Sequence, residues 1–499
     1  MKRSLPALLF LCALMPCRTH ALEYALGQTS VVVSGYLEGR GVYALHADTP
    51  REDPSYKFSL STKSELGKWG AFKLTVGGNE DGKVVDPHDG RLFTEYDKIY
   101  QDKNPSLTVD EAYVDIFTGK VDLRIGIQKF AWGRLDEINP TDNLNTEDIT
   151  DPILNDENER KIAAPAIKAN IYSEIVNVEI GWIPRYVPYR LPTPEERWFP
   201  PDLKVPSSIA TNTVIGTIPV EAEYDDIKLP PLTLANSEAG VRISKPVAGW
   251  ELSTSYFTGF DPLPVFGIPT ELIVELEDLI SLKTDISAKV RVEPRLYRIH
   301  VFGLDFSTTY EGFTIRGEAA YFKGKHYFRK AETIYPEVAS KEQQQIIMEE
   351  FLRELFASGK TRQSFPIDPP VELKKDALKY GIGLDYVRGD ATLTVQFIQE
   401  YVLAYDDDKP IYYIKDGFDT NITMAYKHFF LQNTLELTLG GLYDIQFQHY
   451  LLQPSLAYNF TDAIRGTLGA AIIQGMYDDS LLGQFRNNDE VFFKLRYSF

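Results

Sequence analysis

The chain has 499 residues, with 52 Lys+Arg against 71 Asp+Glu, 43% hydrophobic and 12% aromatic residues, and cysteines only at Cys12 and Cys17. The acidic balance excludes a counterion-displacing nucleic-acid binder, and the aromatic content excludes a disordered chain. No run of 18 apolar residues occurs, so no transmembrane helix is expected; strands are a separate question.

Met1-Lys-Arg, the short apolar stretch Leu5 to Met15 and the small residues Thr19 and Ala21 read as a secretory leader over 1–21, cleaved after Ala21. Cleavage removes both cysteines and three basic residues and takes the net charge from −19 to −22. No disulfide framework, thiolate metal site or cysteine nucleophile is then expected.

From 22 to 499 the sequence falls into segments of about ten residues with alternating apolar and polar side chains, the period-2 signature of strands with unlike faces. Eighteen are expected, at 29–45, 56–66, 70–79, 108–118, 121–130, 164–173, 176–184, 236–245, 248–259, 298–309, 312–323, 377–387, 391–404, 417–428, 431–446, 449–460, 463–474 and 489–499. In the last, Val491, Phe493, Leu495, Tyr497 and Phe499 share one face and Lys494, Arg496 and Ser498 the other. Short turns such as Gly67-Lys-Trp69, Glu174-Ile175, Pro246-Val247 and Phe429-Phe430 alternate with long connections at 80–107, 131–163, 185–235, 260–297 and 324–376. The gap Phe447-Gln448 breaks the rule and reads as a tight outer hairpin.

A soluble sandwich gives no reason for such unequal ends, whereas an outer-membrane barrel keeps its periplasmic turns short and lets its outer loops grow. A strand of about 11 residues at roughly 3.3 Å rise and a tilt of about 40° spans roughly 27 Å, the height of an apolar belt. The fold class expected is therefore all-β: an up-and-down transmembrane barrel of about 18 strands whose last strand pairs with Ser30 to Leu37.

By strand parity the lumen receives Arg124, Arg242, Arg316, Glu318, Asp385, Lys494 and Arg496, the candidate pore-lining residues. The lining carries both signs, so strong ion selectivity is not expected. Lys341 to Phe356 and Thr270 to Lys289 both read as amphipathic loop helices, free to cap the pore, enter it or pack on each other. Arg134 to Arg160 holds nine acids without EF-hand spacing, so a solvated external loop bridged to lipopolysaccharide is favoured over a calcium site. The six histidines after the leader, among them His300 and His449, sit in no nucleophile or metal motif. No catalytic residue, cofactor or resident metal is expected.

Ile125-Gly-Ile-Gln-Lys-Phe-Ala-Trp-Gly133, followed by Asn139-Pro-Thr-Asp142, resembles the strand-then-loop signature of an uncharacterised proteobacterial outer-membrane barrel family, classed as a domain of unknown function. Trp250 to Phe266, Phe302 to Lys325 and Tyr380 to Tyr401 resemble its later hairpins. That resemblance implies an association with RND-type exporters and the movement of lipidic or hydrophobic molecules. A more distant likeness to alginate-export barrels is weakened by the absence of a dominantly basic lumen.

The function expected is an outer-membrane channel for a small or hydrophobic solute. The alternative is a structural sheath or anchor for a partner such as a multihaem cytochrome or a surface lipoprotein. Expected partners are outer-membrane lipid and lipopolysaccharide, the barrel-assembly machinery through Phe499, and an export system.

Overall fold

Eighteen strands pair in chain order and close into one antiparallel ring. They are β1 Thr29–Ala44, β2 Ser55–Glu65, β3 Gly70–Glu80, β4 Ser106–Phe117, β5 Val121–Gln128, β6 Ala164–Tyr172, β7 Asn177–Ile183, β8 Glu238–Val247 and β9 Trp250–Phe260. There follow β10 Arg298–Tyr310, β11 Phe313–Phe328, β12 Glu372–Arg388, β13 Ala391–Val402, β14 Phe418–Phe430, β15 Leu435–Asp444, β16 His449–Asn459, β17 Ile464–Gly475 and β18 Glu490–Ser498. Each coincides with one of the eighteen expected segments to within a few residues at either end. The computed structural model describes residues 21–26, 29–46, 54–80, 106–194, 196–210, 217–278, 283–330, 333–334, 340–476 and 481–499. Residues 1–20 of the expected leader and most of connection 80–107 lie outside these.

The seam is where a ring either forms or fails. β18 runs antiparallel to β1 from Glu490 opposite Ala44 to Ser498 opposite Tyr36, and Gly35 and Phe499 exchange two backbone hydrogen bonds of 3.0 Å. Below that point the edge of β1 is occupied by a short strand, Leu22–Leu26, paired from Leu22 opposite Val33 to Leu26 opposite Thr29. Backbone polar groups along the seam thus find partners without water, as hydrocarbon requires.

Parity sorts the side chains. On β10, Phe302 and Leu304 are exposed outward, Leu304 at 62%, while Val301 and Asp305 are buried within the ring. Ile243, Leu252, Ile382, Leu384, Met424, Leu439, Leu456, Leu468, Phe493 and Leu495 continue the exposed apolar band around the ring. Aromatic residues mark both rims: Trp69, Trp250, Tyr310 and Phe460 beside the short turns, Tyr43, Tyr401, Tyr443 and Tyr450 toward the long loops. The protein is a multi-pass outer-membrane β-barrel with its short turns on the periplasmic side.

Turn details shift slightly from expectation. Between β8 and β9 the turn is Ala248-Gly249, both at positive φ, rather than Pro246-Val247. Between β14 and β15 pairing runs on to Phe430 opposite Leu435, and Leu431, Gln432 and Asn433 take the positive φ values of the reversal. The Asp444–His449 hairpin is tight and lies at the outer end, with the Asp444 carboxylate accepting the Phe447 N–H at 2.9 Å.

Two outer connections differ from expectation. Thr270 to Lys289 is not a helix but a hairpin, Thr270–Asp278 against Lys283–Arg295. Its apolar residues, several of them β-branched, follow a period of two: Ile286, Ala288, Val290 and Val292 are buried alongside Leu272 and Val274. With Ser208–Ala210, Thr217–Tyr224 and Arg362–Ile367 this hairpin makes a five-stranded outer sheet, joined at its side by Val265–Gly267. The helix Lys341–Ser358 forms as expected and sets Ile347, Phe351 and Leu355 against Leu272, Val274, Ile286 and Phe365. The second departure is 131–163, which is not a solvated external loop: it turns into the barrel.

Leu304→Arg, at the middle of β10 on the lipid side, should lower folding stability by about 2 to 4 kcal/mol. Thr467→Arg, on the lumen side of β17, should stay within about 1 kcal/mol of wild type. Urea titration of the protein folded into vesicles separates the two, and equal losses would mean the facing is misassigned.

Candidate functional site

The inward loop starts where β5 ends, and the wall has gaps shaped for it. A Cβ placed on Gly181 would lie 2.8 Å from the Phe130 ring, one on Gly240 2.6 Å from Trp132, and one on Gly381 2.7 Å from Leu135 Cδ1. These strand glycines leave notches that Phe130, Trp132 and Leu135 fill. The loop also braces itself. Gly133 adopts φ +85°, a region glycine enters without strain, and the Asn139 carboxamide accepts the N–H groups of Thr141 and Asp142 at 3.1 Å while donating to Trp132 O at 2.8 Å.

One carboxylate on β11 fixes the first half. Glu318, 3% exposed, accepts the N–H of Arg134, the N–H of Leu135 at 2.5 Å, the N–H of Thr141 at 3.2 Å and the Thr141 hydroxyl at 2.8 Å. Beside it, Arg316 donates to Arg134 O at 2.5 Å and pairs with Asp136 at 2.7 Å and Asp385 at 2.8 Å. Gln396 on β13 accepts the Asp136 N–H at 2.9 Å. Asp305 on β10 takes Arg134 at 3.1 Å and Arg242 at 2.9 Å.

The second half crosses to the opposite wall. Glu159 meets Lys57 at 3.1 Å, Arg40 at 3.4 Å and Arg496 at 3.0 Å, and Arg496 also pairs with Glu38 at 2.6 Å. Arg40 donates to Asn155 at 2.9 Å, and Lys494 donates to Leu154 O at 2.5 Å. Burial by itself raises the Glu159 carboxyl, but the surrounding Lys57, Arg40 and Arg496 charges prevail and hold it at about 2. Within the loop, Arg160 pairs with Glu137 and Glu147, and Lys161 with Asp142 and Glu157. Most of the acids expected to face water instead pair with bases: Asp136 and Glu159 with the wall, Glu137, Asp142, Glu147 and Glu157 within the loop, and Asp148 with Arg190 of the next outer connection. Among the described residues no group of three or more His, Cys, Asp or Glu is arranged to hold a metal ion.

What remains between the loop and the wall β13–β18 includes a cavity of about 1360 Å³. Its outer part is bordered by Trp198, Phe199, Phe266, Tyr412, Leu482 and Phe485, and its inner part reaches Lys427, Glu436 and Arg465 beside the periplasmic turns. The connection after β7 roofs it. Arg197 bonds to Glu490 at 2.5 Å across the mouth, and Trp198 packs on Ile473 and Phe485.

All seven residues expected in the lumen lie on the inward side of their strands, but only Lys494 and Arg496 border the cavity. Glu318, Arg316 and Asp385 are covered by the loop they hold. Arg124 lies flat over Tyr113 at 3.8 Å, in a two-pronged bond to Asp115, and Arg242 is committed to Asp305 and Ser253. Parity missed Leu135, Asn139, Thr141 and Glu159, because it describes strands and these belong to a connection. The signals present were the nine acids facing a partly basic wall and the turn-forming Asn139-Pro-Thr-Asp142. His300 lies on the outer face against the Tyr256 hydroxyl at 2.8 Å, whereas His449 is buried inside, 3.7 Å from Asp444.

Glu318→Ala strips four hydrogen bonds from the loop and leaves buried N–H groups unpaired, so docking should weaken by roughly 3 kcal/mol or more. Protease cleavage within 134–142 of the vesicle-embedded protein should rise sharply, and unchanged protection would refute the anchoring role. Because the Glu159 pKa is depressed in the docked state, its contribution is present above the ordinary carboxyl value of 4.5 and is lost as pH falls toward 2, amounting to roughly 3 kcal/mol. Cleavage within 151–160 should therefore increase between those pH values using an acid-active protease, and Glu159→Gln should show high cleavage throughout.

No family model matches the chain, and no curated protein does. Among solved structures it is similar to OccK8 (OprE) of Pseudomonas aeruginosa, at 10% identity and a TM-score of 0.46, over 94% of this chain and 98% of that one. It is also similar to OccD3 (OpdP) of the same organism, at 9% identity and a TM-score of 0.45 over 96% and 93%, and to OmpF of Salmonella typhi, at 7% identity and a TM-score of 0.40 over 96% and 100%. The closed register and the loop-narrowed lumen, taken from the chain itself, make this a porin-like outer-membrane barrel.

Proposed function

We propose that the protein is an outer-membrane channel through which a small solute with apolar character passes between the inward loop and the wall β13–β18. The observation that carries this reading is the cavity of about 1360 Å³ extending from the roofed outer mouth to the level of the periplasmic turns. A ring of 18 strands is too wide for wall side chains to fill, so its lumen holds either water or folded chain. Here folded chain fills one side and the cavity lies beside it. The loop sets the width, and Trp198, Phe199, Phe266 and Phe485 give the entrance an apolar surface.

The chain's own loop also disfavours the sheath reading, because it occupies interior space that a threaded protein partner would need. Nothing in this reading asks the barrel for covalent chemistry.

Purified protein in a planar bilayer should give stepwise currents, and Glu318→Ala should raise the unit conductance by widening the passage. Silence from both wild type and Glu318→Ala, with folding verified by heat-modifiable mobility, would refute the channel reading.

A further inference from the structure

The cavity wall is not electrically balanced. Among the described residues eleven carboxylate side chains border it against seven Lys and Arg. The excess is concentrated at the outer end, where strand register places Glu400 of β13 opposite Asp419 of β14, and Asn421 of β14 opposite Asp444 of β15. All three acids border the cavity. Like charges directly across a strand pair are destabilising, so this row carries a cost in stability.

The cations nearby are mostly committed to one member of the row. Lys325 reaches Glu400 at 3.1 Å and Lys379 reaches it at 4.0 Å, while the Tyr327 hydroxyl donates to it at 2.6 Å. Asp419 accepts from the Asn421 carboxamide at 2.9 Å, and Asp444 accepts the Phe447 N–H and faces His449 at 3.7 Å. Neither Asp419 nor Asp444 has a Lys or Arg ion pair among the described residues. Carboxylates on successive strands at the mouth of a narrow passage, backed by low-dielectric wall, focus a negative potential on whatever enters.

Resting on the channel reading above, we infer that the passage prefers cations to anions and that Asp419 and Asp444 set this preference. Among organic solutes of the same size, those that join an ammonium group to an apolar body are favoured. The row holds the charge and the aromatic entrance holds the rest, since aromatic faces also attract cations.

The test uses the full chain in a planar bilayer under a KCl gradient, with Asp419→Asn, Asp444→Asn and their double variant. Both changes preserve side-chain volume, and Glu174→Gln, in a periplasmic turn, supplies a control whose charge change equals that of each single variant. Wild type and the control should show a reversal potential of the sign set by potassium, and the double variant should lose more than half of it at similar conductance. Liposome uptake should be faster for benzylammonium than for benzoate in wild type and should lose that order in the double variant. Currents with chloride preference, currents with none, or benzoate uptake as fast as benzylammonium would overturn the inference and leave the channel standing. Absence of current from wild type and from Glu318→Ala would instead overturn the channel.

Discussion

A peptide group in hydrocarbon has no water to bond to, and the rest of this structure follows from that constraint. A sheet that crosses a bilayer must have no free edge, so β18 has to find β1, and the Gly35–Phe499 pair completes the circuit. Once the ring closes, period-2 alternation ceases to be a matter of core and surface. It sends Leu304, Met424 and Leu468 to lipid and Glu318, Arg316 and Asp385 to the interior.

An interior of that width creates a second problem, which the connection 131–163 resolves by electrostatics and shape together. Wall bases on β1, β2, β11 and β18 meet loop acids, and wall glycines on β7, β8 and β12 receive loop side chains. Buried ion pairs are weak evidence of stability, since desolvation offsets much of their attraction. Their value here is positional. Glu318 gathers donors spread over eight residues of the loop, and Glu159 gathers three cations from three different strands, so each fixes a place and not merely an energy.

The passage is then defined by what the loop leaves uncovered. It leaves most of β13–β18, the stretch of wall with mostly short connections, touching only its two margins at Gln396 and at Lys494 and Arg496, and it covers the strands that carry the larger outer loops. Those outer loops fold on one another into a sheet and a helix, and Phe199 and Phe266 of the entrance pack with Val290 and Val292 of that sheet.

The eighteen strands, their parity and the pairing of the last strand with the first were legible in the amino-acid sequence, because alternation is a local property and the bilayer imposes one length on every crossing. The paired segment was not, since β18 meets Tyr36 to Ala44 and Leu22–Leu26 takes Ser30 to Val33 of the expected Ser30 to Leu37. The helix Lys341–Ser358 was legible for the same reason, its apolar stripe being plain at a period near 3.6. Thr270 to Lys289 was not: short runs rich in Leu, Ile and Val satisfy both periods, and only the neighbouring strands Thr217–Tyr224 and Arg362–Ile367 select the extended form. Nor did nine acids in a long connection announce that they would turn inward, since the same composition suits water equally well. Local pattern determined which faces are apolar and where the chain crosses; tertiary structure alone decided which charges meet, because Glu318 and Thr141, or Glu159 and Arg496, are brought together by the curvature of a closed ring and not by any spacing along the chain.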